Sequence, residues 1–347
     1  MVPYPSHTKA LVLAKAPSPS SGHVYDAVIE TRPVPALKDG EVLVRMAAAG
    51  FNHKELWQRD NQYPNTTVGS VLGSDGAGIV IAAADPNDPL IRKRVFLVPT
   101  LGWESDPIGP ERVFSIRGGI PAGGTFTEFV TIERSQVIVV PDYLPLVYAA
   151  AWPVAGVTAW RAVTVKGEVK AGDNVLITGI GGGVALVALQ LCVAIGARVF
   201  VTSSDPAKID RAIELGAVGG VMYTEEKWPS QLGKLLKTHG AHSADLSVII
   251  DSAGGDISGK TMKLLRHGAR VVCYGLTASG SINFTIREVL KNIELKGSTM
   301  GSRQELIDAT AFIEKHRIVP VVSHVLRGLE EAEQGFEILR QITIMER

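Results

Sequence analysis

The fold is decided by one stretch near the middle of the chain, which reads Val175-Leu176-Ile177-Thr178-Gly179-Ile180-Gly181-Gly182-Gly183-Val184. Apolar residues, a cluster of glycines and then a long apolar segment predict a short buried strand, a tight turn and a buried helix. Doubly wound α/β folds bind a dinucleotide diphosphate at such a turn, because absent side chains let it reach the backbone N–H groups of the helix. Val184 takes the third fingerprint position, where Gly or Ala is usual, so a plain tight turn is the alternative.

The chain around this stretch alternates between strand and helix from Pro153 onward. The predicted strands are Val175–Thr178, Arg198–Thr202, Gly220–Tyr223, Ser247–Asp251, Arg270–Tyr274 and Ile293–Ser298. Asp205 and Pro206 are typical of a helix start, and Gly216 of a helix end. The apolar face predicted for that helix comprises Ile209, Ala212, Ile213 and Leu215. Six such strands predict a doubly wound, mostly parallel sheet over residues 151–304.

The first 150 residues follow a different pattern, with short β-like runs separated by Gly, Pro, Asn and Asp. These runs are Ala10–Ala14, Val24–Thr31, Glu41–Ala49, Ala77–Ala82, Arg94–Val98, Phe126–Ile132 and Gln136–Val140. Residues 1–150 are therefore predicted to form a β-rich domain, which residues 305–347 complete. The glycine- and proline-rich stretch Leu101–Gly124 predicts a long surface loop or lobe.

The composition is that of a folded protein with room for two domains, since 46% of the 347 residues are hydrophobic and 20% are charged. Lys plus Arg and Asp plus Glu number 35 each, so the net charge gives no reason to expect nucleic acid or an anionic membrane as a partner. Val175–Ala197 is uncharged, but its glycines favour strand, turn and helix over a membrane span. Cys192 and Cys273 predict core thiols, and the lack of a signal-peptide pattern in Met1–Lys15 favours a cytoplasmic protein.

The end of the second predicted strand bears on the type of cofactor, because an acidic side chain there selects NAD. This chain has Ser203 and Ser204, followed by Asp205 and Lys208. Small hydroxyls and a lysine suit a 2′-phosphate, whereas Asp205 before Pro206 is typical of a helix cap. The pattern favours NADP(H) over NAD(H), the alternative being that Lys208 is an ordinary solvated helix residue.

The order of motifs along nearly the whole chain resembles the medium-chain dehydrogenase/reductase superfamily, and specifically its zinc-lacking branch of quinone-oxidoreductase-like and enoyl-reductase-like proteins. The resemblance is carried by Ala48–Asn52, Gln62–Pro64, Gly73–Gly78, Gly124–Phe129, Val154–Ala159, the glycine turn, Asp251–Gly255, Tyr274-Gly275 and Gly297–Gly301. It implies a six-stranded Rossmann sheet for residues 151–304 and a GroES-like fold for the β-rich domain. The closing stretch Ile342–Arg347 departs from the family, because it lacks the usual glycine-lysine strand.

The resemblance also bears on metal binding, because zinc alcohol dehydrogenases of this family hold a catalytic zinc with cysteine and histidine. The matching positions here carry Asn52, Ser74 with Asp75, and Val154, which offer neither thiolate nor imidazole. The sequence therefore predicts no metal site. Hydride transfer without a Lewis acid fits electron-poor acceptors such as quinones and α,β-unsaturated carbonyls better than simple alcohols.

Cofactor-binding residues follow from the turn and from the resemblance. The turn supplies Gly179, Gly181, Gly182, Gly183 and Val184. The resemblance places Asn52 and Thr158 near the nicotinamide ribose or ring, and Ser203, Ser204 and Lys208 at the 2′-phosphate. It implies that the cofactor cleft is lined by Ser252, Gly275, Met300, Gly301 and Ser302. Tyr63 matches a tyrosine that relatives place over the substrate, where it is the candidate proton donor, the alternative being a turn tyrosine that only packs its ring.

These observations together predict a zinc-independent, NADPH-dependent reductase of a small-molecule quinone or α,β-unsaturated carbonyl. Two alternatives stay open: a non-catalytic nucleotide-binding scaffold, and a zinc-type alcohol dehydrogenase with substituted ligands. Relatives commonly dimerise by joining the edges of their cofactor-domain sheets, which predicts a homodimer. Trp103 and Trp152 either border a substrate cleft or fill space, and Gly76 and Gly78 are expected to mark a tight β corner.

Overall fold

The computed structural model describes residues 4–16, 23–64, 66–119, 123–239 and 243–346. They form two compact units. The first unit comprises Met1–Val154 and Ser302–Ile342, and the second comprises Ala155–Gly301 and Thr343–Arg347.

The strands occur in chain order in both units. They are β1 (His7–Lys15), β2 (Tyr25–Pro33), β3 (Glu41–Gly50), β4 (Asp75–Ala83), β5 (Arg94–Leu97), β6 (Thr100–Leu101), β7 (Ser115–Ile116), β8 (Phe129–Glu133), β9 (Val137–Val139), β10 (Asn174–Ile177), β11 (Arg198–Ser203), β12 (Gly219–Met222), β13 (Leu246–Asp251), β14 (Leu265–Cys273) and β15 (Glu294–Gly297).

The helices are α1 (His53–Arg59), α2 (Leu146–Ala149), α3 (Pro153–Trp160), α4 (Gly183–Ile195), α5 (Pro206–Glu214), α6 (Trp228–His239), α7 (Ile257–Thr261), α8 (Ile286–Leu290), α9 (Arg303–His316) and α10 (Ala332–Glu346). A π-helix, Arg161–Lys166, directly continues α3. Single 3₁₀ turns lie at Arg134–Gln136 and Leu329–Glu331.

The first unit is built on an antiparallel sheet in the order β8-β3-β4-β5-β9, with β1 and β2 paired as a separate hairpin. Alternating apolar residues of these strands form one core cluster, which includes Val42, Val44, Val80 and Leu97. The expected tight corner at Gly76 and Gly78 is wrong, since both lie within β4. A Cβ at Gly78 would lie 2.1 Å from the Arg45 carbonyl oxygen, so glycine is needed because β3 and β4 approach closely.

In the described part of the predicted loop or lobe Leu101–Gly124, which excludes residues 120–122, β6 and β7 pair antiparallel. The Glu111 carboxylate accepts hydrogen bonds from the backbone N–H groups of Glu104, Ser105 and Asp106. Those bonds lower the pKa of Glu111 to about 2. Trp103 is buried beside them, with its indole N–H donating to the Asp106 carbonyl, so this tryptophan fills space.

The second unit contains a sheet in the order β12-β11-β10-β13-β14-β15, and every neighbouring pair is parallel. The predicted doubly wound sheet is thereby confirmed. Val175–Ala197 supplies β10, the glycine turn and α4, and no helix among the described residues is long and apolar enough to span a bilayer. The strand order reverses between β10 and β13, which is where such sheets bind ligands.

Most of the predictions made for the helix cap, the cysteines and the apolar face of α5 in the second unit are confirmed. Asp205 caps α5 by accepting from the Ala207 N–H at 2.9 Å, and Cys192 and Cys273 are free and buried. The apolar face predicted for α5 is partly wrong, because Ile213 is 45% exposed while Ile209 and Ala212 pack inward. The helix therefore presents one isoleucine to solvent.

The stretch Ile342–Arg347, where the resemblance implies a glycine-lysine strand, belongs as far as Glu346 to helix α10. Phe336 is fully buried against the ring of Phe51, and Arg59 forms a bidentate ion pair with Glu333. The Arg59 guanidinium also lies over the Phe336 ring at 4.4 Å. These contacts anchor the start of α10 to the first unit, while Arg347 lies outside the described residues.

Candidate functional site

The glycine turn joins the carboxyl end of β10 to the amino end of α4. Gly179 has a φ of +62°, a left-handed conformation that glycine adopts without strain. Gly182 is the N-cap residue of α4 and Gly183 is its exposed first residue. A glycine cap has no side chain to cover the first turn, so the N–H groups and positive dipole end of a 13-residue helix are presented at the switch point of the sheet.

Lys208 lies against this turn although it comes from the next helix, α5. A Cβ added at Gly181 would lie 2.8 Å from Lys208 Nζ, so the ammonium group occupies the space that a side chain would take. Ser204 is partly exposed next to it in sequence, whereas Ser203 is buried and its hydroxyl accepts the Asp205 N–H at 3.0 Å. Of the three predicted 2′-phosphate residues, Ser204 and Lys208 present polar groups, and Ser203 stabilises the backbone turn.

A cluster of buried polar groups lies at the carboxyl ends of β10 and β13. Thr178 Oγ1 donates to Asp251 Oδ1 at 2.6 Å and accepts the Ser252 N–H at 3.2 Å. The Gly254 N–H donates to Asp251 Oδ2 at 2.8 Å. Burial raises the pKa of Asp251, while these donors lower it. The loop after β13, which carries the predicted cofactor residue Ser252, is therefore held by a carboxylate beneath it.

Three further predicted cofactor residues of the second unit are Gly275, Thr158 and Met300, and each lies close to another predicted cofactor residue. A Cβ at Gly275 would lie 3.4 Å from the Ser252 carbonyl oxygen, and one at Gly179 would lie 3.4 Å from Ser252 Oγ. Thr158 Oγ1 contacts Met300 Sδ at 3.6 Å. Ser302 belongs to the first unit, where it is buried as the N-cap of α9, and Gly301 is buried directly before it.

In the first unit, Asn52, Asp75 and Val154 match the positions of the zinc ligands in zinc alcohol dehydrogenases, and they are hydrogen-bonded to one another. Asp75 Oδ2 accepts from Asn52 Nδ2 at 3.0 Å, and Asp75 Oδ1 accepts from the Val154 N–H at 2.8 Å. Asp75 is buried, which raises its pKa to about 7 against the opposing effect of these two bonds. Both carboxylate oxygens are thus occupied by donors of the chain itself.

A buried cation lies beside this group. Lys54 Nζ donates to Ser74 Oγ at 3.1 Å, to the Arg117 carbonyl at 2.5 Å and to Gln58 Oε1 at 3.2 Å. Ser74 Oγ donates in turn to Glu55 Oε1 at 2.7 Å, and Glu55 is completely buried. Burial lowers the pKa of Lys54, and the adjacent Glu55 carboxylate opposes that shift.

This arrangement does not fit a tetrahedral zinc. Val154 offers only a backbone N–H, Asp75 is already bonded at both oxygens, and an ammonium group 3.1 Å from Ser74 Oγ would repel a divalent cation. Among the residues that the structure describes, no group of three or more His, Cys, Asp or Glu side chains is placed to hold a metal.

Tyr63 lies in the turn after α1 and is half-buried. Lys54 Nζ lies 5.6 Å from the centre of its ring, and Thr66 Oγ1 donates to its carbonyl oxygen at 2.7 Å. Burial and then the negative charge of Glu55 raise the pKa of Tyr63. The phenol therefore keeps its proton at neutral pH.

Sequence reasoning missed Lys54 and Glu55 as interior residues, and missed the pairing of Thr178 with Asp251. A signal for Glu55 was present, because Asn52 and Glu55 have capping-box spacing and the Asn52 N–H donates to Glu55 Oε2 at 2.7 Å. No local signal marks Thr178 and Asp251, which lie on different strands.

Comparison with known proteins identifies the family of each unit. A family model for the GroES-like domain of alcohol dehydrogenases matches residues 38–142, and a model for zinc-binding dehydrogenases matches residues 183–315. The zinc-type alcohol dehydrogenase-like protein YogA of Leptosphaeria maculans is 40% identical over 308 residues, which are 85% of each chain.

Solved structures show the same two-domain fold. The crystal structure of an NAD-dependent alcohol dehydrogenase has a TM-score of 0.82 at 30% identity, over 96% of both chains. The crotonyl-CoA carboxylase/reductase AntE in complex with NADP has a TM-score of 0.82 over 98% of this chain and 93% of its own, at 21% identity, which supports the fold alone. The GroES-like and Rossmann predictions are thereby confirmed, and this chain belongs to the medium-chain dehydrogenase/reductase superfamily of oxidoreductases.

Proposed function

We propose that the protein is a zinc-independent, NADP(H)-dependent oxidoreductase that reduces a quinone or an α,β-unsaturated carbonyl compound. The observation that carries the proposal is the buried Lys54 ammonium, bonded to Ser74 at a zinc-ligand position of relatives. Zinc-type relatives favour the competing reading of an alcohol dehydrogenase. The chemistry of the side chains at those positions weighs against it.

The residues of the second unit suit a nicotinamide dinucleotide. The N–H groups at the start of α4 would bind the diphosphate, and Ser204 with Lys208 would bind the 2′-phosphate of the adenosine ribose. When bound, the reduced nicotinamide supplies a hydride. Because the positions of the zinc ligands offer neither thiolate nor imidazole, we expect an acceptor that is already electron-poor, as quinones and conjugated carbonyls are.

The reaction class can be tested by measuring NADPH and NADH consumption with a panel of quinones, enones and primary alcohols, alongside elemental analysis for zinc. We expect consumption of NADPH with quinones or enones and less than one zinc per chain. Stoichiometric zinc together with alcohol oxidation that a chelator abolishes would support the alcohol dehydrogenase. Tight NADPH binding without consumption across the panel would favour a non-catalytic scaffold.

Lys208 is expected to set the preference for NADPH. Lys208→Met should weaken NADPH binding about 10- to 100-fold, because it removes a charged donor to the 2′-phosphate. NADH binding should stay within about twofold, since NADH lacks that phosphate. Isothermal titration of both cofactors measures the effect, and Lys234→Met, which changes an exposed lysine of α6, is the matched control. Equal weakening of both cofactors would assign Lys208 to the diphosphate instead.

A homodimer through the edge of the second unit's sheet is part of the proposal. Among the residues that the structure describes, strand β15 pairs with β14 alone, and helix α8, which precedes β15 in the chain, exposes Ile286, Val289 and Leu290 by 53–74%. Leu290→Asp should convert a dimer into the 37.0 kDa monomer in light scattering, whereas Ile108→Asp, in the exposed lobe of the first unit, should not. A monomeric wild-type protein would remove this expectation. Two free buried thiols agree with a cytoplasmic setting, which we also propose.

A further inference from the structure

Asp251 is a completely buried acidic residue at the switch point of the Rossmann sheet. It is the last residue of β13, the strand that lies next to β10 where the strand order reverses. Its side chain is removed from solvent, so it acts through its charge and through the backbone that it holds.

The hydrogen bonds of this carboxyl group are those that an ionised carboxylate accepts, and they oppose the rise in pKa that burial causes. Thr178 Oγ1 accepts the Ser252 N–H and donates its one hydrogen to Asp251 Oδ1 at 2.6 Å. Asp251 Oδ2 accepts the Gly254 N–H at 2.8 Å. Both oxygens therefore accept hydrogen bonds, as an ionised carboxylate does.

The charge of this carboxylate is not neutralised by an ion pair. Among the described residues, no basic side chain forms a salt bridge with Asp251, and its partners are a hydroxyl and backbone N–H groups. These dipoles stabilise the charge without cancelling it. A net negative charge thus lies under the loop that begins with Ser252.

The position of that loop determines which nucleotide of the cofactor would lie close to the negative charge of Asp251. In doubly wound sheets each half of the sheet binds one mononucleotide, and β10, β11 and β12 form the half that carries the glycine turn and Lys208. The nicotinamide nucleotide would therefore lie on the half formed by β13, β14 and β15. Asp251 belongs to that half, at its border with β10.

The two redox forms of the cofactor differ in charge at the ring, because the oxidised nicotinamide is a cation and the reduced one is neutral. We propose that Asp251 is an electrostatic positioning residue, whose buried charge makes the site bind the oxidised cofactor more tightly relative to the reduced one and so favours hydride transfer to the acceptor. This inference rests on the proposed function. It assigns the redox balance of the bound cofactor to a residue that need not touch it.

The test is the ratio of two dissociation constants, for NADP⁺ and for NADPH, measured by titration calorimetry. In Asp251→Asn the ratio Kd(NADP⁺)/Kd(NADPH) should rise about tenfold over wild type, because the amide keeps the size and removes the charge. Thr178→Val keeps the charge and removes one donor, so both constants should change together and leave the ratio unchanged.

Asp173→Asn is the matched control for charge. Asp173 directly precedes β10, at the amino ends of the strands and away from Asp251, so this substitution should leave the ratio unchanged. Should Asp251→Asn fail to fold by circular dichroism, Asp251→Ser provides the same neutral test with a smaller side chain. A wild-type ratio in the folded neutral variant overturns this inference and leaves the proposed function intact. Failure of the wild-type protein to bind either form overturns the proposed function itself.

Discussion

Lys54→Met is expected to lower the free energy of unfolding of the first unit by about 3–5 kcal/mol. The substitution keeps much of the side-chain volume but removes an ammonium group that donates to Ser74, Gln58 and the Arg117 carbonyl. Glu55, which is completely buried, would lose its neighbouring cation, and the Arg117 carbonyl would lose a donor. Urea unfolding followed by tryptophan fluorescence measures the loss.

Lys38→Met is the control for this experiment, because Lys38 is exposed in the same unit and its replacement should change stability by less than about 0.5 kcal/mol. A Lys54→Met protein as stable as wild type would show that the buried ammonium does not hold this region together.

Tyr63→Phe is expected to lower kcat about 100-fold with a saturating acceptor. The phenol is half-buried near Lys54 and Glu55, and its raised pKa keeps it protonated as a donor throughout the neutral range. Phenylalanine preserves the ring and removes only the transferable proton. Steady-state turnover with the best quinone or enone of the panel measures the effect.

Tyr148→Phe provides the matched control, since Tyr148 is a partly exposed tyrosine of α2 in the same unit and its replacement should leave kcat unchanged. An unchanged kcat in Tyr63→Phe would assign the proton to solvent. Tyr63 would then be a turn residue that packs its ring.

The doubly wound sheet could be predicted because its signals are local. Each buried parallel strand is a short apolar run, and each helix has start and end residues such as Asp205 and Gly216. The N-cap bond of Asp205 was predictable for the same reason, since donor and acceptor are two residues apart. The glycine turn was predictable too, because a cluster of glycines favours a left-handed conformation such as that of Gly179, which glycine adopts without strain.

The polar network of the first unit was not predictable, because its partners are distant in sequence. Lys54 and Glu55 are adjacent in sequence and have the pattern of solvent-exposed helix residues. In the structure, Lys54 donates to Ser74 and to the Arg117 carbonyl, which are 20 and 63 residues away in sequence. Glycine at position 78 was likewise misjudged, since the need for it lies in the neighbouring strand and not in a turn.

Periodicity, glycines and helix caps therefore suffice to specify which segments become strands and helices, and that the second unit is a dinucleotide-binding sheet, because those interactions act over a few residues. Which charges are buried depended on the tertiary structure. Thr178 and Asp251 are 73 residues apart, and only the pairing of β10 with β13 brings a hydroxyl hydrogen to a carboxylate that the sequence left without a partner.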